Sequence, residues 1–165
     1  MEELAHGKVE LTEKTIKDIH YLVLKQIDNQ NAGKYRSVNV LISGSRYRPP
    51  DFLQVPSEMQ RLMEWYALAK PSLHPVEAAA LLHFHLARIN PFADGNGRTA
   101  RLLMNLSLMS DGYPPAIIKA DPEHRRAYYD TLELGSTEGD TEPFVQLVAE
   151  CVKESLEVWL HGLGG

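Results

Sequence analysis

Residues 76–87 read Val76-Glu77-Ala78-Ala79-Ala80-Leu81-Leu82-His83-Phe84-His85-Leu86-Ala87. A helix at a protein surface carries apolar residues along one stripe, whereas this segment is apolar almost all round. It is therefore predicted to form a central, buried helix, in which His83 is a hydrogen-bonded core residue. The helix is expected to start at Pro75, which suits a first turn. It should end at Asn90, because a residue before a proline avoids the helical conformation.

Weaker helical patterns on both sides of this segment predict an all-α, mostly helical fold. Thr12 is a suitable N-cap, and apolar residues follow it at helical spacing, namely Ile16, Ile19, Leu22, Val23 and Ile27. Helices are also predicted over about 56–69 and 99–109, from Asp121-Pro122 onward, and from Thr141 to about His161. The expected architecture is a bundle of about six helices.

A short segment after the first helix has a different pattern. Residues 38–42 read Val38-Asn39-Val40-Leu41-Ile42 and are followed by Ser43-Gly44-Ser45. Alternation before a glycine-centred turn predicts a small β-hairpin over about residues 38–49. No repeat or low-complexity linker interrupts the chain, so residues 1–165 are expected to form a single domain.

Composition and charge argue against several classes of protein. The chain has 165 residues, a net charge of −5 and one cysteine, Cys151. The negative charge argues against a nucleic-acid binder, and a lone cysteine cannot form a disulfide within the chain. No apolar run is long enough to span a membrane, and the start of the sequence lacks the pattern of a signal peptide. A cytoplasmic location is therefore expected.

The segment that carries chemistry reads Asn90-Pro91-Phe92-Ala93-Asp94-Gly95-Asn96-Gly97-Arg98-Thr99-Ala100-Arg101. Its two glycines permit conformations in which successive N–H groups point into one concavity, and the helix N-terminus that follows also favours an anion. Arg98 and Arg101 lie on one helix face, where guanidinium groups suit phosphate oxygens, and Asp94 adds an oxygen ligand for Mg²⁺. Each feature alone is common in turns and solvated helices. Their combination predicts a site for Mg²⁺ and a polyphosphate.

These residues resemble the Fic family, whose motif is His-Pro-Phe-x-(Asp or Glu)-Gly-Asn-Gly-Arg-x-x-Arg. Residues 90–101 match the motif at every fixed position except the first, where Asn90 replaces histidine. The resemblance extends to His74-Pro75-Val76-Glu77 before the motif and to Gly112-Tyr113-Pro114-Pro115 after it. The predicted hairpin fits the family's flap region. The similarity covers most of the chain, from about residue 12 to 160.

The resemblance implies a Fic-type helical bundle and a protein adenylyltransferase, which transfers AMP from ATP to a Ser, Thr or Tyr hydroxyl of a target protein and releases pyrophosphate. Position 90 would hold the general base, Asp94 would hold Mg²⁺ (or Mn²⁺), and Phe92 would anchor the loop. The phosphates would be bound by Gly95, Asn96, Gly97, Arg98 and Arg101, with Arg98 at the β/γ end and Arg101 on the γ-phosphate. The flap would bind the target by strand addition, through Val40, Leu41, Ile42, Ser43, Gly44 and Ser45.

Asn90 changes this expectation, because an amide cannot accept a proton as a general base. Loss of that role costs about 10²–10⁴ in rate, so this form is expected to be inactive or weakly active. Two explanations stay open, an engineered substitution and a natural nucleotide-binding pseudoenzyme. The retention of every phosphate-handling residue favours the first.

Other functions on the same fold also stay open. One uses a different phosphate-containing donor, as in UMP transfer, phosphocholine transfer or Doc-type phosphorylation. Another is a catalytically silent binding module that recognises a partner through the flap, and a homodimer is compatible with each.

The resemblance also implies how such a protein would be regulated. Many Fic proteins are restrained by a helix with the pattern (Ser or Thr)-x-x-x-Glu-(Gly or Asn), whose glutamate pairs with the second motif arginine, here Arg101. Residues 1–11 contain no Ser or Thr. The chain is therefore expected to lack this helix, and any restraint should come from an upstream segment or from a partner protein.

Overall fold

The structure, a computed structural model, describes residues 10–164. These residues form six α-helices, and two short 3₁₀ helices, Phe52–Gln54 and Lys70–Ser72, flank the second of them. Within the described residues there is no β-strand, which confirms the all-α prediction, and no helix is long and apolar enough to cross a membrane. The six helices are α1 (Glu13–Leu24), α2 (Val55–Ala69), α3 (Pro75–Ile89), α4 (Asn96–Ser110), α5 (Pro122–Glu138) and α6 (Glu142–Gly164).

Helix α3 lies at the centre of the bundle, as its apolar composition predicts. It packs against α2, α4 and α6, and more lightly against α5. Ala78, Ala79 and Ala80 are fully buried, and their small side chains leave room for the neighbouring helices. One core cluster joins α3 to α1, α2 and α4, and a second joins it to α4, α5 and α6. Helices α3 and α4 both contribute to each cluster, so the core packs on both sides of the pair and fixes their relative position.

Side-chain caps start two helices where the sequence predicts a start. Thr12 Oγ1 accepts the N–H of Thr15 at 3.2 Å and begins α1. Asp121 Oδ2 accepts the N–H of His124 at 3.2 Å and begins α5. Each cap satisfies one of the N–H groups that have no partner within the first turn of a helix.

The helical pattern predicted from Thr12 through Ile27 extends too far, because α1 ends at Leu24. Gln26 adopts a positive φ of 76° and donates its N–H to the Asn29 side chain at 2.8 Å. That bond takes the place of the next helical hydrogen bond, so the chain turns. Leu22 and Ile27, two of the apolar residues at helical spacing, are exposed.

The predicted β-hairpin is also wrong. No residue from Val40 to Ser45 lies in a strand, although the segment does turn, with the Ser45 N–H donating to the Ile42 carbonyl at 3.1 Å. At the base of the segment, the Asn39 amide donates to the Asp51 carboxylate at 2.9 Å. Side-chain bonds of this kind replace the cross-strand backbone pairs that a hairpin needs. We refer to residues 38–49 as the flap.

One prediction concerns the contact between α5 and α3. Gly135 lies so close to Phe84 that a Cβ at this position would be 2.5 Å from Phe84 Cε2, inside a buried contact. Gly135→Ala is therefore expected to lower the free energy of unfolding by about 1–3 kcal/mol through overpacking. The matched control is Gly162→Ala in α6, where nothing lies within 4 Å of the added carbon and a gain of about 0.5–1 kcal/mol is expected. Urea unfolding followed by circular dichroism measures both; equal effects would contradict the packing.

Candidate active site

The loop that joins α3 to α4 begins and ends at a residue with left-handed backbone. Asn90, the C-cap of α3, has φ 51° and ψ 57°, and its N–H donates to the Leu86 carbonyl at 3.0 Å. Asparagine tolerates this conformation better than most residues. Gly95, the N-cap of α4, has φ 79°, which glycine adopts without a steric penalty. The chain therefore reverses direction sharply between two helices.

Two contacts fasten the centre of this loop to the core. Phe92 is 0% exposed, and its ring stacks on the His20 ring with centroids 3.6 Å apart. The Asn96 side chain accepts the Phe92 N–H at 2.9 Å through Oδ1 and donates to the Phe92 carbonyl at 2.9 Å through Nδ2. The Asn96 amide is thus used to close the loop, which leaves its backbone N–H as the group available to a ligand.

His20 connects the loop to α1, a role that the sequence did not reveal. Its Nε2–H donates to the Asp94 carbonyl at 2.8 Å, and its Nδ1 accepts the Gly33 N–H at 2.9 Å. Both bonds require an uncharged ring with the proton on Nε2. Burial, the main cause, lowers the pKa of His20 below its ordinary value of 6.5. The one signal that could have found it is its spacing of four residues from Ile16, which is typical of one helix face; nothing in the sequence indicates these partners.

Arg101 is oriented by a chain of hydrogen bonds that runs into the core. Its Nη1 donates to the Tyr128 hydroxyl at 3.3 Å, and that hydroxyl lies 2.8 Å from His83 Nε2. Burial, helped by the positive charge of Arg101, lowers the pKa of His83 to about 3. The ring is therefore uncharged, and its Nε2 accepts a hydrogen bond from the Tyr128 hydroxyl. This bond confirms that His83 is a hydrogen-bonded core residue. Tyr128 thus holds Arg101 in place.

Asp94 and Arg98 lie at the rim of the site. The Asp94 side chain is 71% exposed, and its Oδ2 is 3.7 Å from Arg98 Nη2. Its Oδ1 accepts the Gly95 N–H at 2.7 Å. Among the described residues, no cluster of three or more His, Cys, Asp or Glu side chains could hold a metal ion. A cation at Asp94 would therefore need most of its ligands from water or from a substrate.

A cavity of about 430 Å³ lies between the flap, the α3–α4 loop and α5. We call it the motif cavity. The motif residues on its wall are Asn90, Asn96, Gly97 and Arg101, faced by the flap tip and by Tyr128, Tyr129, Glu133 and Ser136 of α5. A larger cavity of about 600 Å³, between α1, α2 and α4, is lined by no residue of the motif. The motif cavity therefore brings these four motif residues together with the flap tip. The predicted site residues that do not line it are Val40, Leu41, Phe92, Asp94, Gly95 and Arg98.

The tip of the flap is tied to α5 across this cavity. The Ser45 hydroxyl donates to Glu133 Oε2, and the Arg46 N–H donates to Glu133 Oε1 at 2.9 Å. Hydrogen bonding from Ser45, the largest cause, lowers the pKa of the Glu133 carboxyl, so the group is charged near neutral pH. This contact could not be predicted from the sequence, because Glu133 lies on a helix with no motif or other feature that marks it.

The base of the flap is held by Arg36, which is only 4% exposed. Its guanidinium donates to the Asn90 carbonyl at 2.8 Å, to the Val38 carbonyl at 3.0 Å and to the Pro50 carbonyl. One side chain thus binds both ends of the flap and the residue at the first motif position. The sequence does not reveal this role of Arg36, because all of its partners are backbone carbonyls.

Arg101 has no carboxylate partner within residues 10–164. Of residues 1–11, which lack the Ser or Thr of the inhibitory pattern, residues 1–9 lie outside the described residues. The expectation about the inhibitory helix stays a prediction.

Comparisons with known proteins place these features in a family. The family model described as the Fic/DOC family matches residues 10–108. A relative from Drosophila grimshawi, named protein adenylyltransferase Fic, is 43% identical over 154 residues, which is 93% of this chain and 31% of the relative. The chain therefore spans about a third of the length of that curated relative.

Two solved structures have the same fold over nearly the whole chain. Fic-1 from C. elegans has a TM-score of 0.84 and 32% identity, covering 94% of this chain and 44% of that one. A Fic domain containing signaling protein from Bacteroides thetaiotaomicron has a TM-score of 0.81 and 34% identity, covering 94% of this chain and 64% of that one.

A prediction follows from the buried His20 ring. His20→Ala removes two hydrogen bonds and the Phe92 stack, and should lower the free energy of unfolding by about 2–4 kcal/mol at pH 7. Because the pKa of His20 is lowered in the folded state, the stability that the neutral ring contributes is complete above pH 6.5 and declines as the pH falls below it. The difference between the parent and His20→Ala should therefore shrink at about pH 5.

Urea unfolding at both pH values measures this effect. His161→Ala, at an exposed position of α6, is the control and should change stability by less than about 0.5 kcal/mol. Equal stability of His20→Ala and the parent at neutral pH would show that His20 does not hold the loop.

Proposed function

The chain belongs to the Fic/DOC family, and from this premise we propose that it is the nucleotide-binding and target-binding core of a protein adenylyltransferase. In this reaction a Ser, Thr or Tyr hydroxyl of a target protein attacks the α-phosphorus of ATP. The bond from that phosphorus to the bridging oxygen breaks, and pyrophosphate leaves. The observation that supports the proposal is the motif cavity, where position 90, the N-terminus of α4 and Arg101 face one space.

The phosphates are proposed to bind at the N-terminus of α4. Gly95 caps this helix without a side-chain hydrogen bond, so the N–H groups of the first turn are directed to the loop and favour an anion. A Cβ on Gly97 would be 3.3 Å from Arg101 Nη1, which places the guanidinium beside the same turn. Arg101 would then bind the γ-phosphate and Arg98, at the rim, the β/γ end. The nucleoside would lie between the flap tip and α5, next to Tyr129.

Asp94 fits the metal role that the family implies. Its carboxylate is exposed at the rim and is paired only loosely with Arg98, at 3.7 Å. One carboxylate together with phosphate oxygens and water is the set of ligands that Mg²⁺ prefers. When bound, Mg²⁺ (or Mn²⁺) would neutralise charge on the phosphates.

The flap is proposed to bind the target polypeptide. Its backbone N–H and C=O groups at Val40 and Leu41 take part in no pairing within the described residues, as strand addition requires. Leu41 is exposed, and Ile42 and Ser43 line the motif cavity. A segment bound along the flap would thus carry its hydroxyl towards position 90.

Asn90 leaves this arrangement without a group to take the hydroxyl proton. Its backbone carbonyl is bound by Arg36 at 2.8 Å, so the position of the loop does not depend on the side chain. Histidine, like asparagine, tolerates a positive φ, which makes the two residues exchangeable here. A catalytically silent binding module is the second candidate function, and Asn90 is the observation that favours it.

ATP binding tests the phosphate site directly. The chain is expected to bind Mg²⁺-ATP, and Arg101→Gln should weaken binding by about tenfold or more, because a charge-assisted bond to phosphate is lost. The control is Arg126→Gln, which makes the same change of charge at an exposed position of α5 that does not line the motif cavity. Isothermal calorimetry measures both, and no binding at millimolar ATP would contradict the site.

Restoring the base tests the chemistry. Asn90→His is expected to raise AMP transfer by about 10²–10⁴, measured as label transferred from α-labelled ATP to a protein. Asn90→Gln keeps an amide and is expected to stay as inactive as the parent. Transfer from γ-labelled ATP instead would indicate phosphorylation, and a histidine form no more active than the parent would contradict the role of position 90.

A further inference from the structure

A second cavity of about 430 Å³ lies beside the flap, between the flap, α2 and α3. Its wall carries three arginines, Arg48 from the flap, Arg61 from α2 and Arg88 from α3, and one glutamate, Glu58. We call it the arginine pocket. None of its three arginines belongs to the motif at residues 90–101, so its composition needs a separate explanation.

The arginine pocket is positive in a chain that is negative overall. Arg61 Nη1 pairs with Glu58 Oε1 at 2.9 Å, whereas Arg48 and Arg88 form no ion pair within the described residues. The pocket therefore has a surplus of two positive charges, against a net charge of −5 for the whole chain. Unpaired arginines on a concave surface favour a carboxylate or a phosphate.

Aromatic rings hold this pocket in shape. The Arg88 guanidinium lies 5.1 Å from the centre of the Tyr47 ring, and the Trp65 ring meets the His85 ring edge to face, with centroids 4.6 Å apart. Burial, the main cause, lowers the pKa of His85 to about 4, so this ring is uncharged near neutral pH. The pocket thus offers apolar walls for the stem of a side chain and arginines for its charged end.

The arginine pocket and the motif cavity are neighbours. Tyr47 and Arg88 line both of them, and Ile89, in the wall of the arginine pocket, precedes Asn90, in the wall of the motif cavity. An extended polypeptide advances about 3.3 Å per residue. A segment that placed a hydroxyl at position 90 would therefore bring a side chain a few residues away to the arginine pocket.

We propose that the arginine pocket binds an Asp or Glu side chain of the target polypeptide, a few residues from the hydroxyl that accepts AMP. The proposal rests on the proposed function, because it takes the flap as the surface for the target. It adds a rule of specificity: target segments with an acidic residue near the hydroxyl are preferred. The flap residues Tyr47 and Arg48 contribute to the pocket, which is why we assign it to a polypeptide on the flap.

The experiment measures peptide binding by fluorescence of the present chain, which needs no turnover. The chain has two tryptophans, so Trp159→Phe leaves Trp65, in the wall of the arginine pocket, as the only reporter. Two peptides of equal length carry a central Thr, flanked on both sides at the second and third positions by Glu in one and by Gln in the other. The Glu peptide is expected to change Trp65 emission and to bind about tenfold tighter than the Gln peptide.

Charge variants assign the effect to the pocket. Arg48→Glu should abolish the preference for the Glu peptide, and Arg48→Lys should retain part of it. Arg126→Glu, which makes the same charge change outside both cavities, should retain all of it. Equal binding of the two peptides, or a preference that survives Arg48→Glu, would overturn the proposal.

Mg²⁺-ATP separates this inference from the proposed function. Its affinity should be the same for the parent and Arg48→Glu, because the two cavities bind different groups. If ATP itself changes Trp65 emission with an affinity that Arg48→Glu lowers, the pocket binds phosphate and the proposal is overturned. Failure of the proposed function would be seen in other experiments, as absence of ATP binding or of transfer by Asn90→His. The comparison of the two peptides can still be interpreted in that case.

Discussion

The buried guanidinium of Arg36 is the constraint on which the site depends. A buried charge is costly unless its hydrogen-bonding groups are satisfied, and Arg36 satisfies them with backbone carbonyls at Val38, Pro50 and Asn90. The last of these is at the C-terminus of α3, where the helix dipole also favours a positive charge. The backbone N–H of Arg36 adds a bond to the Pro91 carbonyl at 2.9 Å. The flap, the end of α3 and the start of the loop are therefore held as one unit.

The motif residues divide into those that build the loop and those that face the cavity. Phe92 fills the core, the Asn96 amide closes the loop around the Phe92 backbone, and Gly95 allows the reversal into α4. Arg101 faces the cavity, held by Tyr128. A motif that reads as one phosphate-binding signature is thus largely a scaffold, with few groups directed at a ligand.

The sequence predicted what depends on local pattern and missed what depends on distant backbone. The apolar run at 76–87 indicated the central helix, and Thr12 and Asp121 indicated two helix starts. The flap was predicted wrongly because alternation shows that side chains face opposite ways, not that a partner strand exists. His20 bonds to the Asp94 carbonyl and Arg36 to the Asn90 carbonyl. Every residue has a backbone carbonyl, whatever its side chain, so neither bond could be predicted from the residue types.

The closed base of the flap has a consequence for how this protein can diversify. Both ends of the flap bind the Arg36 side chain. The length and composition of the loop between them can therefore change without altering the backbone geometry at position 90. Surface loops tolerate insertion at small entropic cost. Descendants of this chain could therefore exchange or lengthen the flap tip while the backbone geometry at position 90 stays unchanged.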